Sequence, residues 1–342
     1  MFVGQHYLCF YVERIYLGEI TLVTIVGNVK PEDDYTHPLG PEENFNESVY
    51  FNFFDRDKNR GGFIRVGNRA NEGYAEMTVI VFNPDGSAFF NYKKPEIDNN
   101  DGWDAGGARI EVVVPGEHVR TLYEGTALYL AEPRDMKDPG SAFKSNPKKK
   151  LSISLDHFGV GPLYGHSSDA GDDDAAPGFR AHFEQHMRVS GFIEIEGEGR
   201  IEINGHGVRD HSWGPRYWQE IRSYRWINGN FGDDLGMAFA VGVSGAGGMF
   251  HKGLEHIRVT SVDFEVEYEP GTSFHKSFIA KLELENGDKH VLEGRVKGFM
   301  PLRNRRSETI TYIGEGMTEY TLDGDRIGYG LSEFLDQPGD NL

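Results

Sequence analysis

Short runs of alternating apolar and polar residues, cut off at close intervals by tight-turn sequences, constrain this chain more than any other feature. Asn83-Pro84-Asp85-Gly86, Glu285-Asn286-Gly287-Asp288 and Leu322-Asp323-Gly324-Asp325 each separate two such runs. Asn-Gly or Asp-Gly between alternating segments is the chemistry of a β-hairpin turn. The period-two pattern predicts strands over 49–54, 76–82, 110–114, 121–130, 151–158, 235–243, 257–268, 278–284 and 309–313. No segment keeps a strong helical repeat for more than a few turns. Glycine, at 44 of 342 residues, is near twice its usual share of about 7%, which suits a chain with many turns. The expected fold is therefore all-β. Barrel closure removes the unpaired edges that such strands would otherwise expose, and the length accommodates two antiparallel β-barrel domains.

The boundary between the domains is expected near 170–177, in a run too polar and turn-rich to hold a strand. That places an N-terminal barrel over 31–175 and a C-terminal barrel over 176–342. The acidic residues of this run lack the Asp-x-Asp-x-Asp-Gly spacing of a calcium loop, so a solvated loop is expected. Residues 1–30 look unlike the rest and form an atypical extension, either an extra strand or a loosely packed segment.

Charge and motif content exclude several functions. With 35 basic against 54 acidic residues the formal net charge is −19, which repels phosphate backbones, so no nucleic-acid partner is expected. No apolar run approaches the roughly 18 residues of a membrane helix, and stable membrane insertion is not expected. Cys9 is the single cysteine, so no intramolecular disulfide forms. The N-terminus lacks a basic head and a small-residue cleavage site, and the expected location is cytoplasmic. The Gly-x-Ser-x-Gly elbow, the P-loop and the Rossmann glycine pattern are all missing from the sequence, so no cofactor is expected.

The densest chemistry lies in Gly205-His-Gly-Val-Arg-Asp-His-Ser-Trp-Gly-Pro-Arg-Tyr-Trp218. Its glycines and proline suggest a shaped backbone on which strand alternation alone does not place the side chains. Either this is a structural corner, or aromatic rings desolvate Asp210 and His211 and move their pKa values toward proton transfer. Upstream, His182, Glu184, His186 and Arg188 share one face if the segment is a strand, lining a lumen or meeting solvent. The order His-Phe-Glu-Gln-His differs from the His-Glu-x-x-His zinc pattern, and no metal is expected there. In the N-terminal half, Glu72 or Glu76 offers a second carboxylate and Tyr74 a neighbouring ring. Glu333 is a weaker candidate for the same duty.

Asp210-His211-Ser212-Trp213-Gly214-Pro215-Arg216 resembles the motif of the hydroxyneurosporene synthase family of carotenoid 1,2-hydratase-like proteins. The blocks Gly61–Met77 and Gly328–Phe334 resemble terminal signatures of a bacterial branch of that group, and the resemblance spans Glu47 to the C-terminus. It implies two lipocalin-like antiparallel β-barrels with a ligand cavity in or between them. The reaction it implies is addition or elimination of a hydroxyl across a carbon–carbon double bond, with water or intramolecularly. On this reading Asp210 is the neutral acid, and His211 and Arg216 position it or stabilise negative charge. Trp213, Tyr217 and Trp218 form an apolar wall, with Tyr74, His182 and His186 as further ligand contacts. The expected substrate is an apolar small molecule such as a terpenoid or phenylpropanoid enone. The competing expectation is a lipocalin-type carrier that leaves its ligand unchanged.

Overall fold

The computed structural model describes residues 9–16, 19–167, 181–216, 221–243, 245–306 and 309–337. Within them the chain is all-β, with one seven-residue α-helix, α1 (Pro139–Ser145), and a few single turns. The first sheet opens with β1 (Cys9–Tyr16), β2 (Glu19–Gly27), β3 (Phe45–Asp55), β4 (Arg60–Arg69), β5 (Tyr74–Phe82) and β6 (Ala88–Lys93). It continues through β7 (Asp104–Ala105), β8 (Ala108–Val114), β9 (His118–Leu130), β10 (Lys148–Gly159), β11 (Leu163–Ser167), β12 (Ala181–Ile195) and β13 (Gly199–Pro215). The second holds β14 (Ser223–Asn230), β15 (Leu235–Gly242), β16 (Gly245–Lys252) and β17 (Glu255–Tyr268). It ends with β18 (His275–Leu284), β19 (Lys289–Arg306), β20 (Thr309–Leu322) and β21 (Arg326–Asp336).

The second sheet is a closed barrel in sequence order, β14 to β21. The first also contains a ring of eight strands. Pairing runs β12-β13-β3-β4-β5-β6-β9, and β10 completes the circuit by pairing with both β9 and β12. The strands β1, β2 and β11 branch from one side of this ring, and β7 and β8 from another. The atypical N-terminal segment thus contributes the β1–β2 hairpin, and β2 lies parallel to β11.

The expected domain boundary needs correction. Residues 170–177 lie outside the described residues, but β11 and β12, on either side of them, pair with each other in the first sheet. A polar run therefore interrupts one domain rather than separating two. The change of sheet falls between β13 and β14, so the DHSWGPR motif belongs to the first barrel and not to the C-terminal one.

All three turn motifs connect paired neighbours, β5–β6, β18–β19 and β20–β21. In the last, Asp323 and Gly324 both take left-handed backbone, with φ of 53° and 83°. A Cβ at Gly324 would meet no atom within 4 Å, so its cost is conformational only. Gly324→Ala should lower stability by about 1 kcal/mol, read as the shift of a urea-unfolding midpoint.

The two barrels are packed wall to wall. Val49, Phe51, Ile64, Val66, Val79 and Val81 fill the inside of the first ring. Their strand neighbours Tyr50, Phe63, Ile80 and Phe82 point outward and join Met300, Met317 and Leu331 of the second barrel in a separate core. Burial on both faces explains why β3 is apolar along much of its length and buried throughout. Phe54 stacks on Tyr329 at 4.3 Å, and Asn52 Nδ2 donates to Asn228 Oδ1 at 2.8 Å across the junction.

Candidate functional site

β13 runs unbroken through the DHSWGPR motif as far as Pro215, so alternation does place the side chains before Arg216, contrary to the sequence expectation. Arg209, His211 and Trp213 face the first barrel's interior and mouth, whereas Asp210 and Ser212 face the second barrel. One motif therefore feeds two separate clusters.

The outward cluster is built row by row across the sheet. Glu184 of β12 lies opposite Asp210, Asp210 opposite Tyr50 of β3, and Tyr50 opposite Arg65 of β4. Facing them from the second barrel are Tyr224 and Trp226 of β14, Glu315 of β20 and Glu333 of β21. Trp226 lies opposite Glu333, and Glu333 opposite Glu315. Asp210 is not isolated, because its Oδ2 is hydrogen-bonded to His182 Nε2. Burial alone would depress the His182 imidazole, but attraction to Asp210 and that hydrogen bond outweigh it and raise its pKa. Three neighbouring carboxyls have raised pKa values. Burial pushes Glu184 up to about 7, with Asp210 adding to the shift, against the lowering effects of His182 and of a 2.7 Å hydrogen bond from Trp226 Nε1. Glu315 is 3% exposed, and burial followed by repulsion from Glu333 raises its pKa well above the carboxylate range. Glu333 is raised mainly by burial and accepts a hydrogen bond from Tyr224 Oη. Arg216 is buried, donates to Ser212 Oγ at 2.9 Å, and is lowered to about 10 by burial and by Arg65.

Several of these groups, namely His182, Asp210, Arg65 and Tyr224, are half-buried, so the cluster reaches solvent on one side. Glu184, at about 7, can exchange a proton near neutrality. His182, Glu184 and Asp210 also bring one ligating atom each within 4.8 Å of one another, a spacing compatible with a cation.

The inward cluster centres on Glu47 of β3, whose carboxylate is buried. His37 Nδ1 and His211 Nε2 lie 2.6 and 3.0 Å from its Oε1. Asn100 Nδ2 donates to Oε2. Hydrogen bonds from the two histidines overcome the effect of burial and hold Glu47 down at about 2. Trp213 stacks on His37 at 3.9 Å, and Trp103 meets His211 edge-on at 5.2 Å. Deeper in, a void of about 10 Å³ bordered by Trp103, Phe183, Arg209 and His211 has room for one water.

The remaining expected residues are dispersed. Glu72 sits in the turn after β4 and pairs with Arg69 at 2.6 Å, and Tyr74 lies under the Lys94 ammonium at 3.4 Å. Glu76 is 3.5 Å from Arg65 and so approaches the outward cluster through an ion pair. His186 is fully buried at the junction of the barrels, bonded to the Met237 carbonyl at 3.0 Å and packed on His251. It holds the barrels together rather than lining an accessible wall. Tyr217 and Trp218 lie outside the described residues. Tyr50, Tyr224 and Glu315 enter the site without having been singled out in the sequence.

Fold and site define a lipocalin-like double-barrel protein with polar clusters between and within its barrels. Residues 30–338 match the model of a domain of unknown function, DUF7064, and the chain belongs to that family. No curated protein matches it in sequence. Among solved structures, it is similar to a candidate AttH from Nitrosomonas europaea, with 16% identity and a TM-score of 0.58, over 94% of this chain and 98% of that one. It is also similar to CghA solved with Sch210972, with 10% identity and a TM-score of 0.54, over 88% and 90% of the two chains. A third match is kievitone hydratase from Nectria haematococca, with 9% identity and a TM-score of 0.53, over 85% and 88%. At these identities the likeness is one of fold.

Proposed function

We propose that the chain is an acid–base lyase or isomerase, a hydratase or cyclase working at the inter-barrel cluster on an apolar small molecule with a carbon–carbon double bond. The observation that carries this reading is the convergence of Glu184, pushed up to about 7 by burial, and the Glu315–Glu333 pair, both raised by burial, on the His182–Asp210 pair. Alkene or enone protonation needs an acid that stays neutral near pH 7, and desolvation is how a carboxyl becomes one. Glu184 supplies the proton to carbon. The Glu315–Glu333 pair, two carboxyls too close to ionise together, keeps one proton, and its ionised member accepts the proton released by the attacking water or hydroxyl. Asp210, assigned as the acid on sequence grounds, instead holds and charges His182. His211 and Trp213 have no place in this reaction, because β13 turns them to the other face.

The similar folds support the reading. One bears the name of a hydratase, and another was solved with a bound compound, Sch210972. The test is incubation of chelator-treated protein with panels of apolar alkenes, enones and their hydrates, followed by mass spectrometry. Gain or loss of one water marks hydration or dehydration, and unchanged mass with altered retention marks cyclisation or isomerisation. Compounds that bind and are returned unaltered would establish a carrier and overturn the enzymatic reading. Turnover that disappears on chelation would contradict the side-chain-only chemistry.

A further inference from the structure

We infer that His37, Glu47 and His211 form a binding site for a divalent transition-metal ion, separate from the inter-barrel cluster. The three come from distinct segments: the turn region after Asp34, strand β3 and strand β13. Each presents one ligating atom, and all three atoms lie within 4.8 Å of one another. In a tetrahedral site with bonds of about 2.0–2.1 Å, ligating atoms stand roughly 3.3 Å apart. The separations of 2.6 and 3.0 Å between the two imidazoles and Glu47 need to widen by less than about 1 Å to admit an ion.

The surroundings are those of a supported site. The second nitrogen of His37 faces Asp33 Oδ1 at 3.6 Å, the carboxylate–histidine arrangement that orients a metal-binding imidazole. Asn100 fixes Glu47 Oε2, the backbone N–H of His37 donates to Oε2 at 2.9 Å and to Oε1 at 3.1 Å, and Oε1 is the atom that both rings approach. Asn100 is itself held by Asn68 at 2.9 Å. Trp213, stacked within 9° of the His37 plane, and Phe183 and Trp103 around His211 leave the rings little freedom. The Glu47 and His211 side chains are 0% and 3% exposed but His37 is 21% exposed, which gives an ion a route inward. Two imidazoles and one carboxylate favour zinc and its first-row neighbours over magnesium or calcium, and three protein ligands leave one position for a water or a ligand atom. The competing account is that both imidazoles simply donate to Glu47 and never bind an ion. Both accounts use the same atoms, so only titration separates them.

The full chain, stripped with a chelator and dialysed, is titrated with zinc sulfate by calorimetry and with cobalt(II) by visible absorption. The expected result is one zinc per chain with a Kd on the order of 10 µM or tighter, unaffected by excess magnesium, and a cobalt spectrum of low coordination number. His37→Gln and His211→Gln should each weaken binding about 10- to 100-fold. His182→Gln should leave it unchanged, which excludes the second histidine–carboxylate cluster as the site. His211 is buried, so His37→Gln, at a half-buried turn position and checked by near-UV circular dichroism, decides the case if the other variant misfolds. Absence of zinc binding, binding that survives His37→Gln, or binding lost only in His182→Gln overturns the inference.

Discussion

Glutamine in place of Glu184 should lower turnover by about 10²- to 10⁴-fold, the usual contribution of a positioned proton donor, without lowering the melting temperature at neutral pH. The two readouts diverge because Gln keeps the shape and the acceptor for Trp226 Nε1 but cannot release a proton. With Glu184 held at about 7, kcat/KM of the parent should fall on the alkaline side with a midpoint near that value. The residual rate of Glu184→Gln should lack that limb. Stability moves with the opposite logic from an ordinary surface carboxylate. The folded-state pKa is raised, so the contribution of the protonated carboxyl is complete below about 4.5 and is lost as pH climbs through about 7. Glutamine is neutral throughout, and the variant should be at least as stable as the parent above neutral pH. Trp226→Phe removes a hydrogen bond that lowers the Glu184 pKa, so it should move the alkaline midpoint upward while turnover persists. A carrier would show none of this. In a carrier Glu184→Gln alters stability alone, and a variant with full turnover would remove Glu184 from the mechanism.

The sequence disclosed the fold more readily than the site, for a physical reason. Hairpin turns and alternation are local, so Thr121–Leu130 and Phe278–Leu284 could be read directly, and both are parts of observed strands. The partners of a closed ring are not local. Strand β10 joins β9 to β12, and no pattern within either strand announces that pairing. The polar run before β12 misled for the same reason, since a break in patterning does not tell an interruption within one barrel from a boundary between two. The DHSWGPR segment was visible as a concentration of chemistry, but its glycines and proline suggested a corner where the backbone keeps a regular strand. That one misjudgement merged two clusters into one imagined pocket. Glu333 stood out within Gly-Tyr-Gly-Leu-Ser-Glu-Phe. Glu315 lies in Ile-Gly-Glu-Gly-Met, where a charged residue between two glycines looks like an exposed turn. Only the packing of the second barrel against the first reveals that this side chain is buried beside another carboxyl.

Removing Asp34 should cost more stability than any other single change considered, about 3–5 kcal/mol. Asp34 ends the single helical turn Pro31–Asp34 and pairs inside the first barrel with Arg209, both side chains being 2% exposed. The guanidinium also donates to Gln185 Oε1 from Nε at 2.9 Å and from Nη2 at 2.7 Å. The other Asp34 oxygen accepts the Gly116 N–H at 2.6 Å. In Asp34→Ala the cation stays buried without its counter-charge and an N–H loses its acceptor, so two uncompensated groups are created at once. The cost lies in stranding a charge rather than in losing attraction, and the two accounts separate in a double variant. Asp34→Ala combined with Arg209→Met removes both charges and should recover a large part of the loss, whereas an ion pair with large net attraction predicts no recovery. Lys276→Ala, which breaks the exposed Lys276–Glu267 pair with side chains 58% and 59% exposed, should leave the urea midpoint where it was. Because β13 carries Arg209 next to Asp210, the variants also test how independent the two faces of that strand are. If Asp34→Ala weakens the first barrel but the double variant regains both its midpoint and its turnover, the buried pair serves the fold alone, and the inter-barrel chemistry rests on the other face.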